Sequence, residues 1–256
     1  MRIALGIEYD GTAYNGWQRQ KTGLGVQQRL EEALMSIADH PVEVTCAGRT
    51  DTGVHATGQV VHFDTTSTRD DRGWLLGTNS RLPDDISVTW ARHVDDEFHA
   101  RFSATGRNYR YQILNRLERS AMQRHRAWWV YKPLDATHMH EASQHLLGEH
   151  DFSAFRAAGC RANTPQRRIT KIGVERDGDW ITLRVSANAF LQHMVRNITG
   201  SLSTIGEGER SSDWMAYVLK SRDRKKAGIA APPHGLTLVS VDYPSSAGIP
   251  VSTDVD

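Results

Sequence analysis

Only two cysteines occur in the 256 residues, Cys46 and Cys160, which excludes a disulfide framework and a four-cysteine zinc site. There is no GxxxxGK[ST] phosphate loop, no Gly-x-Ser-x-Gly elbow and no His-Glu-x-x-His run. A P-loop nucleotide triphosphatase, an α/β-hydrolase and a zincin therefore fall away. No apolar run approaches the roughly eighteen residues that a membrane span needs. The first residues, Met1 to Tyr9, alternate like a strand and lack the continuous apolar centre of a secretory leader, so a cytoplasmic protein is expected. Excess charge is missing too: the net balance is +1. By itself that argues against a strongly electrostatic ligand.

The distribution of charge says more than its sum. Residues 1–100 carry nine Lys/Arg against fifteen Asp/Glu, so the remainder is basic. Arg101, Arg107, Arg110, Arg116, Arg119, Arg124 and Arg126 are opposed across their span only by Glu118. Arg156, Arg161, Arg167, Arg168 and Lys171 have no acidic residue among them. A charge run is ordinarily a solvated face, yet arginine in preference to lysine suits phosphate forks and base stacking. RNA is the favoured partner.

Periodicity gives the architecture. After the first strand, Val26, Leu30, Ala33, Leu34 and Ile37 recur at helical spacing, and Val42, Val44 and Cys46 alternate as a strand. Gln59–Phe63 reads as a strand, 71–82 as a helix ending at Pro83, and Ile86, Val88 and Trp90 as a further strand. The first hundred residues thus read β-α-β-β-α-β, a ferredoxin-like order. Residues 101–244 repeat it loosely. Tyr109, Tyr111 and Ile113 share one face of a strand, and Asp135 caps a helix carrying Met139, Ala142 and Leu146 that Gly148 ends. Asp177-Gly178-Asp179 joins two strands as a hairpin. Phe190, Leu191, Met194, Val195, Ile198 and Leu202 form the apolar side of a helix, a shorter helix covers Trp214 to Leu219, and Leu236–Tyr243 is the last strand. The expected fold is α+β, with two α+β halves split near residue 100. Residues 245–256 are small, polar and acidic, and a mobile tail is expected there.

Three segments can carry chemistry. Ala47-Gly48-Arg49-Thr50-Asp51-Thr52-Gly53-Val54-His55-Ala56 sets one carboxylate between glycines and beside an arginine. A catalytic Asp51 fits, with Arg49 able to hold it ionised or grip a phosphate; a decorated β-turn fits the same residues. Phe98-His99-Ala100-Arg101-Phe102 and the following Arg107, Tyr109, Arg110 and Tyr111 interleave rings and cations. They suit RNA, one tyrosine of the pair stacking on a base while arginines hold phosphates; plain strand alternation is the other reading. On the helix after Phe190, i, i+4 spacing groups Gln192, His193, Arg196 and Asn197 on a polar face. Such a face is normally only wet, but an arginine beside a half-buried aspartate keeps it charged. Asp51, His55 and His62, or His138, His140 and His145, lack metal-ligand spacing; no metal is expected.

These segments, in this order, resemble the tRNA pseudouridine synthase A (TruA) family. The match runs from Glu8-Tyr9-Asp10-Gly11-Thr12-Ala13-Tyr14-Asn15-Gly16-Trp17-Gln18-Arg19-Gln20 through Gly48-Arg49-Thr50-Asp51 and Asn79-Ser80-Arg81-Leu82-Pro83 to Met194-Val195-Arg196 and Gly235-Leu236. Thr52 departs from the family's usual alanine, and Cys160 to Pro165 departs from its pattern. The resemblance implies a cofactor-free isomerase that converts uridines 38, 39 and 40 of the tRNA anticodon stem-loop to pseudouridine. Asp51 would be catalytic, with Arg196 favouring its ionised form, Tyr109 stacked on the flipped uracil and Arg49 holding the space the base leaves. Phe98, His99, Arg101, Phe102, Arg107 and Arg110 would contact RNA. It also implies a homodimer of two ferredoxin-like or RRM-like halves that form one extended, mostly antiparallel sheet flanked by helices, with a central basic cleft. A non-catalytic tRNA-binding or RNA-chaperone protein is the alternative, and a His/Asp metal hydrolase a third reading.

Overall fold

The computed structural model describes residues 1–250. It is an α+β fold whose large, mostly antiparallel sheet is flanked by helices. Contacts divide it into two compact units, Met1–Gly106 with the residues from Leu238 onward, and Arg107–Thr237.

The first unit opens with β1 (Arg2–Tyr9), α1 (Val26–Ala38), β2 (Thr45–Cys46), β3 (His55–Asp64), α2 (Asp71–Asn79) and β4 (Ile86–Val94). That is the β-α-β-β-α-β order expected. β1 is central, antiparallel to β3 and β4, with Ile3 opposite Phe63 and His93. Its alternation puts Ile3, Leu5 and Ile7, all fully buried, on one face. There Phe63 meets Trp74 of α2 edge-on at 5.2 Å. The other face is lined by small residues: Ala4, Ala47, Val60 and Ala100 cluster with Phe98. The last strand, β10 (Leu236–Asp242), lies beside β3, and Tyr243, Ala247 and Ile249 beyond it pack on that small-residue cluster. Ser245–Ala247 forms a 3-10 turn, so the beginning of the expected tail is packed chain; 251–256 lie outside the described residues.

Two expectations change here. The Val42 to Cys46 strand shrinks to Thr45–Cys46, because the Val44 N–H is taken at 3.1 Å by the Glu31 carboxylate of α1 and its carbonyl by Gln27 Nε2. The helix expected to reach Leu82 stops at Asn79, whose side chain both donates to the Val88 carbonyl and accepts from the Val88 N–H.

The second unit holds β5 (Gly106–Asn115), β6 (Trp128–Val130), α3 (Ala136–Gln144), β7 (Gly148–Asp151), β8 (Gln166–Asp177), β9 (Trp180–Ala187), α4 (Met194–Gly206) and α5 (Trp214–Ser221). Its strand order is β5-β9-β8-β7, antiparallel, with β6 parallel beside β5. Asp135 caps α3 as expected, accepting from the Thr137 and His138 N–H groups, while Leu146 falls beyond the helix. The 177–179 hairpin is present. α4 is buried along nearly its whole length, and its hydroxyls are satisfied locally: Thr199 Oγ1 donates to the Val195 carbonyl and Ser201 Oγ to that of Asn197, both at 2.9 Å. Phe190 and Leu191, read as helical, precede it.

Candidate active site

Asp51 lies half-buried on the loop between β2 and β3. What fixes that loop is a chain segment thirty-five residues earlier. Residues 9–17 run alongside it: the Trp17 N–H donates to the Thr50 carbonyl at 3.0 Å, and the Gly53 N–H to that of Tyr14 at 3.4 Å. Thr50 is buried, its hydroxyl 2.7 Å from that of Tyr9, and Tyr9 packs against Trp17. Gly16 adopts φ +89°, and a Cβ there would stand 2.7 Å from the Thr50 carbonyl; at Gly11 it would stand 2.1 Å from that of Val54. Backbone meets backbone so closely that only glycine fits. The Gly11 N–H also meets His55 Nδ1 at 3.0 Å, and the Asp10 carboxylate lies 3.2 Å from the same nitrogen, so the two segments are tied together there as well.

The segment is itself anchored at two further points. Tyr14 donates to Asp85 at 2.6 Å, and burial followed by that bond raises its phenol far above the ordinary value. Gln18 and Arg19 dock on α1 through Gln27 Oε1 at 2.7 and 3.1 Å, and Arg19 pairs with the buried Glu31. Asp51 is thus held by its neighbours' backbone, and its turn closes with the Val54 N–H donating to its carbonyl at 3.1 Å. Arg49, two residues away, is exposed.

The ring-and-cation segment after β4 separates into two kinds of residue. Phe98 is 5% exposed and packs on His62 and Tyr243, so it serves the core. His62 Nδ1 accepts the Ala100 N–H at 3.1 Å, and burial, then the Arg2 and His99 charges, lower its pKa to about 4. His99 stacks between His62 at 4.8 Å and Phe102 at 4.3 Å, its Nδ1 accepting from the Arg101 and Phe102 N–H groups. Phe102 is 75% exposed, with the Arg101 guanidinium 5.5 Å over its ring. This end of the ladder faces solvent.

In the second unit Tyr109, on β5, is half-buried, and Phe190 stands edge-on to its ring at 4.9 Å and 80°. Tyr111 is fully buried, its hydroxyl donating to the Pro232 carbonyl at 2.7 Å. Of the pair, Tyr109 is the one that is not fully buried. Arg107 is buried and donates to the Asn188 carbonyl at 2.9 Å; Arg110 is half-buried. Arg196, in the first turn of α4, donates from Nε to the Ala231 carbonyl at 2.8 Å while the Ala231 N–H donates back to its own carbonyl at 3.0 Å. The clamp uses Nε and leaves the two terminal guanidinium nitrogens outside it.

The polar face expected around Arg196 is not one face. Gln192 and His193 precede the helix, His193 in the left-handed region at φ +61°, a strained conformation for a non-glycine residue. Asn197 is core, 1% exposed, donating to the Phe155 carbonyl and accepting from Arg224. Sequence reading missed Phe190 as the prop of Tyr109 and the 228–232 strap over α4. In the Cys160–Pro165 loop, Arg156 donates to the Cys160 and Ala162 carbonyls at 2.6 and 2.9 Å. Among the described residues no group of three His, Cys, Asp or Glu is placed to hold a metal ion, and no helix is long and apolar enough to cross a membrane.

Comparison with known proteins sets the class. Residues 6–103 and 142–244 match the family model described as tRNA pseudouridine synthase, and these include the Asp51 loop and Arg196. Relatives called tRNA pseudouridine synthase A narrow it. The one from Aeromonas hydrophila subsp. hydrophila is 56% identical over 98% of this chain and 93% of its own; that from Pseudoalteromonas atlantica is 56% identical over 98% and 95%. One from Coxiella burnetii is 53% identical over 97% and 95%. The chain belongs to the TruA tRNA pseudouridine synthase family.

Proposed function

We propose that the protein isomerises uridine to pseudouridine in tRNA, at positions 38, 39 and 40 of the anticodon stem-loop, with Asp51 as the catalytic carboxylate and no cofactor. The C1′–N1 bond breaks, the uracil turns, C5 bonds to C1′, and the C5 hydrogen leaves as N1 takes a proton. The observation that carries this reading is the Asp51 loop itself, half-buried and pinned by the Tyr9 to Trp17 segment in a chain that matches the family along both units. A carboxylate that must meet a reacting atom needs such preorganisation.

The other roles follow from what each side chain has left to offer. Tyr109 stacks on the flipped uracil, Phe190 holding its ring. Arg196, clamped through Nε, offers its terminal nitrogens to the substrate. Arg49, exposed beside Asp51, holds the space the base vacates, since extrusion from a stem costs a few kcal/mol. Arg101, Phe102, His99 and Arg110 contact RNA, with Phe98 and Arg107 supporting them from the core. The same proposal includes two ferredoxin-like, RRM-like halves in one extended sheet, a basic cleft for RNA, a homodimer and a cytoplasmic location.

The test uses C5-tritiated tRNA. Wild-type protein releases tritium to water; Asp51→Asn binds the tRNA and releases none. Release by Asp51→Asn at the wild-type rate overturns the assignment, and binding without release by the wild type leaves an RNA-binding protein.

A further inference from the structure

The strongest unassigned feature is a surface on the second unit formed by residues 116–126 and the outer side of β6. Pairing of β6 with β5 sets Leu114 opposite Trp129. Alternation then puts Trp128 on the side of Tyr111, their rings edge-on at 6.4 Å, and sends Trp129 and Tyr131 to the opposite side. These two rings lie 6.1 Å apart and are 40% and 59% exposed. Trp129 Nε1 donates to the Arg116 carbonyl at 3.0 Å, tying the ring to the base of the loop.

The loop carries Arg116, Arg119, Arg124 and Arg126 against the single acid Glu118. Some local charge is already matched: Arg116 lies 3.6 Å from Asp179, and Lys132 pairs with Glu207 at 2.7 Å. Arg119 and Arg124 are exposed, and neither has an ion-pair partner among the described residues; Arg124 spends one nitrogen on the Ala121 carbonyl. The loop also exposes Leu117 and Met122, 74% and 84% open. Uncompensated guanidinium groups on a loop tied to Trp129 at its base match a phosphate backbone with an unpaired base. A second copy of this chain fits less well, because a two-fold contact would set the same arginines against one another.

We infer that this surface is a second RNA-contact site, taking tRNA backbone and an unpaired base away from the nucleotide being modified. It rests on the tRNA reading above. Tyr109 lies on the other side of β5, so the RNA held here is a different part of the molecule from the flipped uridine.

The experiment measures tRNA affinity over a series of KCl concentrations for the wild type, Arg119→Gln/Arg124→Gln and Tyr131→Ala. Loss of two phosphate contacts makes the slope of log affinity against log salt shallower by about 1 to 2. Tyr131→Ala weakens binding by about five- to a hundredfold, the range for one stacked base. Both raise KM for tRNA and leave kcat at saturating tRNA unchanged. Circular dichroism checks folding, and the charge reversal Arg119→Glu/Arg124→Glu, at two exposed positions, gives a larger loss in the same direction. Unchanged affinity and slope in all three variants overturn the inference, as does a change in sedimentation mass with tRNA affinity intact, which would mark a contact between copies. Tritium release by the wild type separates the readings: if it fails, the proposed function fails; if it succeeds and the variants bind normally, only this surface is wrong.

Discussion

Thr50 shows how a side chain that performs no chemistry can determine where Asp51 sits. Its hydroxyl meets that of Tyr9 at 2.7 Å inside the fold, and its carbonyl accepts from Trp17. Thr50→Val keeps the shape and removes the hydrogen bond to the Tyr9 hydroxyl, a loss of about 0.5–1.5 kcal/mol that urea unfolding will measure. With the loop loosened, kcat falls while tRNA affinity is kept. Asp51→Asn behaves differently: thermal stability stays near that of the wild type, and single-turnover rates drop by ~10³-fold or more, as for removal of a residue that acts on the reacting atoms. Asp51 was legible as a candidate because its neighbours are glycines and an arginine in sequence. The support from Tyr9, Gly11 and Gly16 was not legible, although these residues belong to a stretch that resembles the family, since no local pattern says which distant segment a loop will lie against.

Among the elements, those with a sustained period were readable and those decided by a competing partner were not. α1 and the 177–179 hairpin follow from spacing and turn residues. β2 is short because Glu31, on another element, captures the backbone of Val44, and β6 and β7, three and four residues long, are too brief for a period to register. α4 was recognised but begun too early, as the strained turn at His193 resets the helix start. Two substitutions separate elements that serve the site from those that serve stability. Gly16→Ala forces a side chain toward the Thr50 carbonyl at an unfavourable φ; it costs on the order of 1–3 kcal/mol and depresses kcat well beyond its effect on folding, as parallel melting and turnover assays will show. Asp135→Ala removes the α3 cap, costs about 1 kcal/mol, and leaves turnover unchanged.

For the whole molecule, sensitivity to acid has an identifiable source in His62. Its folded pKa of about 4 lies below the unfolded value near 6.5, so in that window the unfolded chain binds a proton that the folded chain refuses. Stability is full above pH 6.5 and falls as the pH drops toward 4, by about 2–3 kcal/mol from this group. His62→Gln keeps an acceptor for the Ala100 N–H, so unfolding midpoints from pH 7.5 to 4.5 will decline less steeply than in the wild type. Element order and charge asymmetry were both legible in sequence. The return of the chain's last strand to the first unit was not, because a strand's period does not reveal which sheet edge it will join. The central claim is that one carboxylate in this fold isomerises specific uridines, and mass-spectrometric mapping of pseudouridine in an unmodified tRNA transcript tests it most directly. Wild-type protein should place pseudouridine at positions 38, 39 and 40 where uridine occurs, and Asp51→Asn at none of them; pseudouridine formed equally by Asp51→Asn, or no pseudouridine formed by the wild type, would contradict it.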